Sequence, residues 1–286
     1  MGYPESVRID LLRAANLAGA LQLQEPERWN QTVEDWTRLL RLNPDGCFAA
    51  FSDGRLVGTV TVITYGTHLA WVGMMLVAQE YRGRGIGVRL MRTALAHCQQ
   101  RHIATVKLDA TPAGRPLYDA LGFVPECEIE RWQGTGRSKS QPHPGSGSRC
   151  EVPLSLYQFD EHAFRVSRRE LLDSLLEDGR FAPVLQIDES TQSLQGYAFA
   201  RAGARASYIG PVVAVEPELA VGLLDSMLQR LAGAVFVDLC LGGKDMVSRL
   251  RERGFVKQRS LTQMSLGQPI MRRSDMVFAI AGPELG

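Results

Sequence analysis

Chemistry is densest at Arg82-Gly83-Arg84-Gly85-Ile86-Gly87. Three glycines at alternate positions let a backbone pass close to a ligand and adopt conformations that a Cβ would block. The segment follows an apolar, strand-like run at residues 69–77 and opens a stretch with helical spacing at residues 85–101. It therefore sits at a helix start, where unpaired N–H groups and the positive end of the dipole attract anions. The amides of residues 83–88, with the guanidinium groups of Arg82 and Arg84, make an anion site suited to a pyrophosphate. Two common phosphate ligands do not fit. A P-loop closes on Gly-Lys-Ser/Thr, whereas Gly87 is followed by Val88-Arg89. A dinucleotide site wants G-x-G-x-x-G and an acid about 20 residues later; here the spacing is G-x-G-x-G, and the first acid after the loop, Asp109, lies further on.

A second motif, Leu117-Tyr118-Asp119-Ala120-Leu121-Gly122-Phe123, follows that helix. Together with Leu76-Val77-Ala78-Gln79-Glu80-Tyr81 and the glycine loop it resembles the GNAT superfamily, the Gcn-related N-acetyltransferases. Arg82, Gly85 and Gly87 satisfy the signature Q/R-x-x-G-x-G/A, and Tyr118 stands four residues before Gly122-Phe123. The resemblance covers residues 6–132 well and, beyond them, only the outline of a tandem-repeat bacterial subgroup.

The resemblance implies acetyl-CoA as co-substrate and no metal. It implies a strand that splays at a bulge, so that the backbones of Met75, Leu76 and Val77 meet pantetheine and polarise the thioester carbonyl. It places the pyrophosphate on Gly83, Arg84, Gly85, Ile86, Gly87 and Val88, and makes Tyr118 the acid that protonates the departing thiolate. Thr111 stands where many relatives have Asn, and its hydroxyl could still donate; Arg115 is within reach of a CoA phosphate or simply faces solvent. The amine must also lose a proton. Asp109, at the end of a short strand, is one candidate, with capping of the next turn as its other reading. Glu80, His68 and His102 are titratable too but read more simply as surface groups. The acceptor site of the fold is walled by the first two helices, their loop and the central strands, which nominates Trp29 and Asn30, and Trp71 on the strand leading to the cofactor. Trp36 lies on the apolar face of its helix and reads as core.

Those motifs need a sheet to position them. Apolar periodicity predicts a short strand at residues 6–9, helices at 11–22 and from Thr32, strands at 47–51, 56–64 and 69–77, then helix, strand, helix and a last strand at 127–132. The order is α+β, or mixed α/β, around a mostly antiparallel sheet. Residues 134–149, GTGRSKSQPHPGSGSR, have linker composition and divide a catalytic domain (1–133) from a second one (150–286). The second repeats the first weakly: Gly196-Tyr-Ala-Phe-Ala echoes Gly58-Thr-Val-Thr-Val, and Gly254-Phe255-Val256 echoes Gly122-Phe123-Val124. Where the first has its loop, the second has Pro217-Glu218-Leu219-Ala220-Val221, and Leu250 replaces the tyrosine. A carboxylate and bulky side chains disfavour a phosphate, so the copy is expected to be silent. Its role would be to pack on the first domain and complete the acceptor pocket, with sheet continuation or a homodimer contact equally open.

Composition sets the remaining expectations. The 286 residues carry 32 basic and 31 acidic side chains, a balance that gives no sign of nucleic acid or a membrane surface. Five scattered cysteines without a C-x-x-C pair suit reduced thiols in the cytoplasm. No secretory signal and no spanning helix are read. The expected activity is acetyl transfer to a primary amine of a small molecule. A non-enzymatic acetyl-CoA-binding regulator and a protein-lysine acetyltransferase are the alternatives.

Overall fold

The computed structural model describes residues 7–139, 152–240 and 244–286. The first half builds an antiparallel meander from β1 (Arg8–Leu11), β2 (Cys47–Ser52), β3 (Arg55–Tyr65) and β4 (Leu69–Val77). Between β1 and β2 lie α1 (Leu17–Gln24) and α2 (Val33–Leu42). The start of α2 is fixed by a capping box: Asp35 N donates to Thr32 Oγ1 (3.3 Å) and Thr32 N to Asp35 Oδ2 (2.9 Å). Then come α3 (Ile86–Gln100), β5 (Thr105–Ala110), α4 (Arg115–Ala120) and β6 (Val124–Thr135). The second half runs α5 (Leu154–Phe164), α6 (Arg169–Glu177), β7 (Val184–Ile187), β8 (Leu194–Arg201), β9 (Ser207–Ala214), α7 (Pro217–Leu228), β10 (Ala234–Cys240), α8 (Lys244–Glu252), β11 (Val256–Gly267) and β12 (Val277–Ala279).

All twelve strands join one sheet, in the order β1-β2-β3-β4-β5-β11-β6-β10-β12-β9-β8-β7. The two halves therefore exchange a strand each. β11 of the second half inserts between β5 and β6, and β6 of the first half pairs with β10. Gly134 and Thr135, read from sequence as linker, are paired with Val235 and Ala234; residues 140–149 lie outside the described residues. The strand expected at 127–132 is thus longer at both ends, because it has partners on both edges.

Strand alternation sends side chains to two faces. One face carries α1 and α2 beside α5 and α6, in a shared core of Leu17, Trp36, Leu39, Trp71, Phe164, Leu171 and Tyr197. The opposite face has two cores, one under α3 and α4 around Leu90, Met91 and Phe123, the other under α7 and α8 around Leu223, Met227 and Leu250. The helix expected at residues 11–22 begins only at Leu17, because Leu11 is taken by β1 opposite Phe48.

The exchange makes each half structurally dependent on the other. Residues 1–139 expressed alone should show no cooperative thermal unfolding by circular dichroism, and should recover it when co-expressed with residues 152–286. A monomeric residue 1–139 fragment with a sharp transition would contradict the coupling.

Candidate active site

The site is created where β4 leaves β5. The two pair in parallel only from Leu69–Val72 against Thr105–Leu108. On its other edge β4 is bulged: Thr61 faces Gly73 and Thr59 faces Leu76, so Met74 and Met75 stand against Val60 alone. Met74 takes φ 48°, and Thr59 Oγ1 donates to its carbonyl oxygen (2.7 Å). Such a bulge bends its strand and ends pairing. Beyond Val72 the β5-facing backbone of β4 lines a cavity of about 580 Å3 instead of a ladder.

At one end of that cavity is the glycine loop. Gly83 and Gly85 have φ 76° and 77°, and Gly85 forms the cap of α3 in the left-handed region that glycine alone enters freely. The first helical bond runs from Arg89 N to Gly85 O (3.1 Å), so the amides of Ile86, Gly87 and Val88 are free of intrahelical partners. Gly83, Gly85, Ile86, Gly87 and Val88 line the cavity. Arg82 lines it too; its Nε donates to Val77 O (2.9 Å) and its guanidinium pairs with Glu27. Arg84 and Arg115 do not line it. Arg84 lies over the Tyr81 ring at 5.2 Å and donates to Glu80 O (3.0 Å), while Arg115 pairs with Asp119 (3.5 Å) at the surface.

Tyr118 and Asp109 both line the cavity and approach it from different faces of the sheet. Tyr118, on α4, packs edge-on to Phe123 (6.1 Å between ring centres) in the core beneath α3. Burial pushes its phenol up to about 12. Asp109 points to the α1/α2 face, where Gln263 on β11 donates to Oδ1 (3.1 Å) and Oδ2 is buried with no partner among the described residues. Desolvation raises its carboxyl to about 7, against the lowering influence of Gln263 and Arg272. Thr111 lines the cavity, and its Oγ1 accepts from Gly114 N (3.1 Å), which leaves the hydroxyl proton for another acceptor. The capping of this turn thus falls to Thr111 rather than Asp109.

The acceptor-side expectations divide. Trp29 is half-buried and lines the cavity. Asn30 does not reach it. Its Oδ1 accepts from Arg205 N (2.9 Å) and Ala206 N (3.0 Å), and its Nδ2 donates to Ala206 O (2.9 Å), so its amide is spent pinning the β8–β9 loop. Trp71 does not reach it either: it is buried in the shared core, and its Nε1 donates to Pro283 O (3.0 Å). Glu80, His68 and His102 are exposed and outside the cavity, with Glu80 paired to Arg55 (3.1 Å).

Sequence reasoning expected the second half to complete the pocket but named none of the residues that line it. Arg259 and Leu261 from β11, and Pro283 and Glu284 from the segment after β12, line the same cavity. A Cβ on Gly73 would stand 2.7 Å from the Glu284 Cα, so the bulged strand accepts this segment only because residue 73 is glycine. Glu284 is buried: its Oε1 accepts from Arg201 Nη2 (2.8 Å) and its Oε2 from Gln31 Nε2 (2.9 Å). Arg201 in turn donates to Asp35 (3.0 Å), the capping residue of α2. No signal within the first half could have indicated these partners, since the contacts span up to 253 positions.

The second half has the same break, filled. β9 and β10 pair in parallel only through Ile209 and Val237. Beyond that, β12 enters between them, with Leu239 opposite Ala279 on one side and Val277 opposite Val213 on the other. The second cleft is therefore closed by the chain's own backbone. Among the described residues no group of side chains could hold a metal ion, and no helix is long and apolar enough to cross a membrane.

Comparison with known proteins agrees with this architecture. Residues 12–123 match the acetyltransferase (GNAT) family and residues 156–279 an acetyltransferase (GNAT) domain. The chain is 25% identical to the holothin acyltransferase of Pseudoalteromonas sp. (strain SANK 73390), over 91% of this chain and 88% of that protein. It is 34% identical to the N-alpha-acetyltransferase MAK3 of Arabidopsis thaliana, over 36% of this chain and 55% of that one. In fold it is similar to a proposed acetyltransferase from Pyrococcus horikoshii (TM-score 0.83, 23% identity, 100% of this chain and 98% of that chain). It is also similar to a tandem GNAT protein from the clavulanic acid biosynthesis pathway (TM-score 0.61, 15% identity, 93% and 100%). With each half matched and the splayed strand pair present in both, the chain belongs to the GNAT acetyltransferase family, as two such domains in tandem.

Proposed function

We propose that this chain transfers the acetyl group of acetyl-CoA to a primary amine of a small molecule, in the first half only and by direct attack within a ternary complex. The observation that carries this reading is one cavity joining three features: the unpaired β4 edge at residues 73–77, the free amides of the glycine loop, and Tyr118 and Asp109 approaching from different faces. The residues fit the co-substrate. The loop amides and Arg82 suit the pyrophosphate, the β4 edge suits the amides of pantetheine, and a β4 N–H suits the thioester oxygen as negative charge develops there. The second half offers no such edge, because β12 occupies it.

The chemistry then follows from the two titrating groups. The amine nitrogen attacks the carbonyl carbon, a C–N bond forms and the C–S bond breaks. Asp109, with a value near neutrality, takes a proton from the amine; Tyr118, kept protonated by burial, gives one to the sulfur. The four described cysteines are free thiols, in keeping with the reducing, cytoplasmic setting that we propose.

Replacing Tyr118 with Phe should lower kcat about a hundredfold or more while leaving the KM for acetyl-CoA near that of the parent, measured by thiol release. Unchanged kcat between pH 6 and 9 would remove the acid assignment. For Asp109 the sign is set by a folded value of about 7 against an ordinary 3.8. The active form is the carboxylate, so kcat/KM should climb with pH and level off above about 7, and Asp109→Asn should abolish that limb. Ionising this buried carboxyl opposes folding as pH rises from about 4 to 7. The melting temperature of Asp109→Asn should therefore gain on the parent over that interval and hold its lead above it. A parent profile flat across neutrality would rule Asp109 out as the base.

A further inference from the structure

Arg259 is a cation without an anion. It lines the cavity, and its Nε is buried with no hydrogen-bond partner; it forms no ion pair among the described residues. The neighbouring carboxylates are already taken. Asp238 holds Arg131 through both oxygens, Nε to Oδ1 at 2.7 Å and Nη2 to Oδ2 at 2.6 Å. Glu284 holds Arg201 and Gln31, and Glu130 accepts from Trp132 (3.0 Å) and pairs with Lys257. A register shift between Lys257 and Arg259 places Arg259 directly opposite Arg131, so two guanidinium groups face each other across the β6–β11 ladder. Like charges in that position oppose pairing, and an unpaired, partly desolvated charge is costly unless something supplies its counterion. Desolvation and the nearby Arg131 both work against its protonated form.

Its position selects the counterion. Arg259, Leu261 and Gln263 alternate onto one face of β11, and Gln263 reaches Asp109 there. This is the face of α1, α2, Glu284 and the proposed base, whereas the glycine loop opens α3 on the other face. A phosphate of the co-substrate belongs at the loop; an anion at Arg259 belongs to the acceptor. The same wall carries the Asp109 carboxyl, whose Oδ2 has no partner among the described residues and suits an ammonium or amine.

We propose that the acceptor is an amine that also carries an oxyanion, a carboxylate or phosphate ester, which the Arg259 fork binds while the amine is turned towards Asp109. This rests on the N-acetyltransferase reading above and names its substrate class.

The test compares acceptors in matched pairs: amino acids against their carboxamides, and an aminoalkyl phosphate against the amino alcohol. Thiol release from acetyl-CoA is followed with the parent, Arg259→Gln and Arg259→Lys, and CoA affinity is measured by calorimetric titration. The parent should prefer the anionic member of at least one pair by tenfold or more in kcat/KM, and which pair does so separates carboxylate from phosphate. Arg259→Gln should raise KM for that acceptor at least tenfold while leaving its neutral counterpart, CoA affinity and melting temperature at or above parental values. Arg259→Lys, which keeps charge but not the fork, should fall between. Equal use of both members of every pair, or equal losses on both in Arg259→Gln, would overturn the proposal. No thiol release with any amine, despite CoA binding, would instead overturn the transferase reading on which it stands.

Discussion

A backbone strand that leaves its neighbour must give its N–H and C=O groups other partners. This one constraint organises both halves of the chain. Past Val72 and again past Ile209, a strand parts from the parallel strand beside it. In the first half the freed edge lines the cavity, where the amide-bearing pantetheine arm that we propose as its ligand can imitate a strand. In the second half β12 supplies the imitation permanently. The same geometric event thus yields a site in one place and a seam in the other, and the difference lies in whether chain is available to fill it.

The segment that fills the second cleft continues into the first. After β12, residues 280–286 turn back on themselves, with Gly286 N donating to Gly282 O (2.8 Å) and Ala281 N to Gly286 O (2.9 Å). Buried charge fixes the turn in place. Arg201 reaches Asp35, Ala281 O and Glu284. Arg168 forks onto Asp160, lies 3.7 Å over the Phe164 ring and donates to Gly286 O (3.0 Å). Ions so deep are tolerable only when each is paired and hydrogen-bonded. Arg201 and Arg168 meet that condition fully and Arg259 does not, which is why those two read as architecture and Arg259 as recognition. Trp71 and Asn30 belong with the architecture: each spends its polar atoms on the second half.

How much was legible in sequence follows the range of the interactions involved. The glycine loop, Tyr118 and the Thr32 capping box depend on neighbours within a few residues, and each appears where local pattern puts it. The boundaries of β4 and α4 are local too. The exchange of β6 and β11 leaves no mark on either strand's alternation, because a strand reads the same whichever edge it joins. Asn30 and Trp71 carried the right chemistry for a pocket wall; only the second half, folded back on them, shows that they face a different partner. Asp109 was placed at a strand end by pattern, but its elevated carboxyl comes from burial under β11, over a hundred positions away.

The strand exchange also has a consequence for how the protein is made. The edge of β5 and both edges of β6 wait for strands that are translated much later, Gln133 for Val256 among them. At ribosomal speeds of about 5–20 residues per second, that interval is on the order of ten seconds. Throughout it, the nascent first half presents unsatisfied strand edges of the kind that recruit other chains. Synthesis of this enzyme therefore includes a vulnerable period whose length is fixed by the distance between the two exchanged strands, and holding the emerging chain apart from its neighbours during that period becomes a requirement of the fold rather than of the cell.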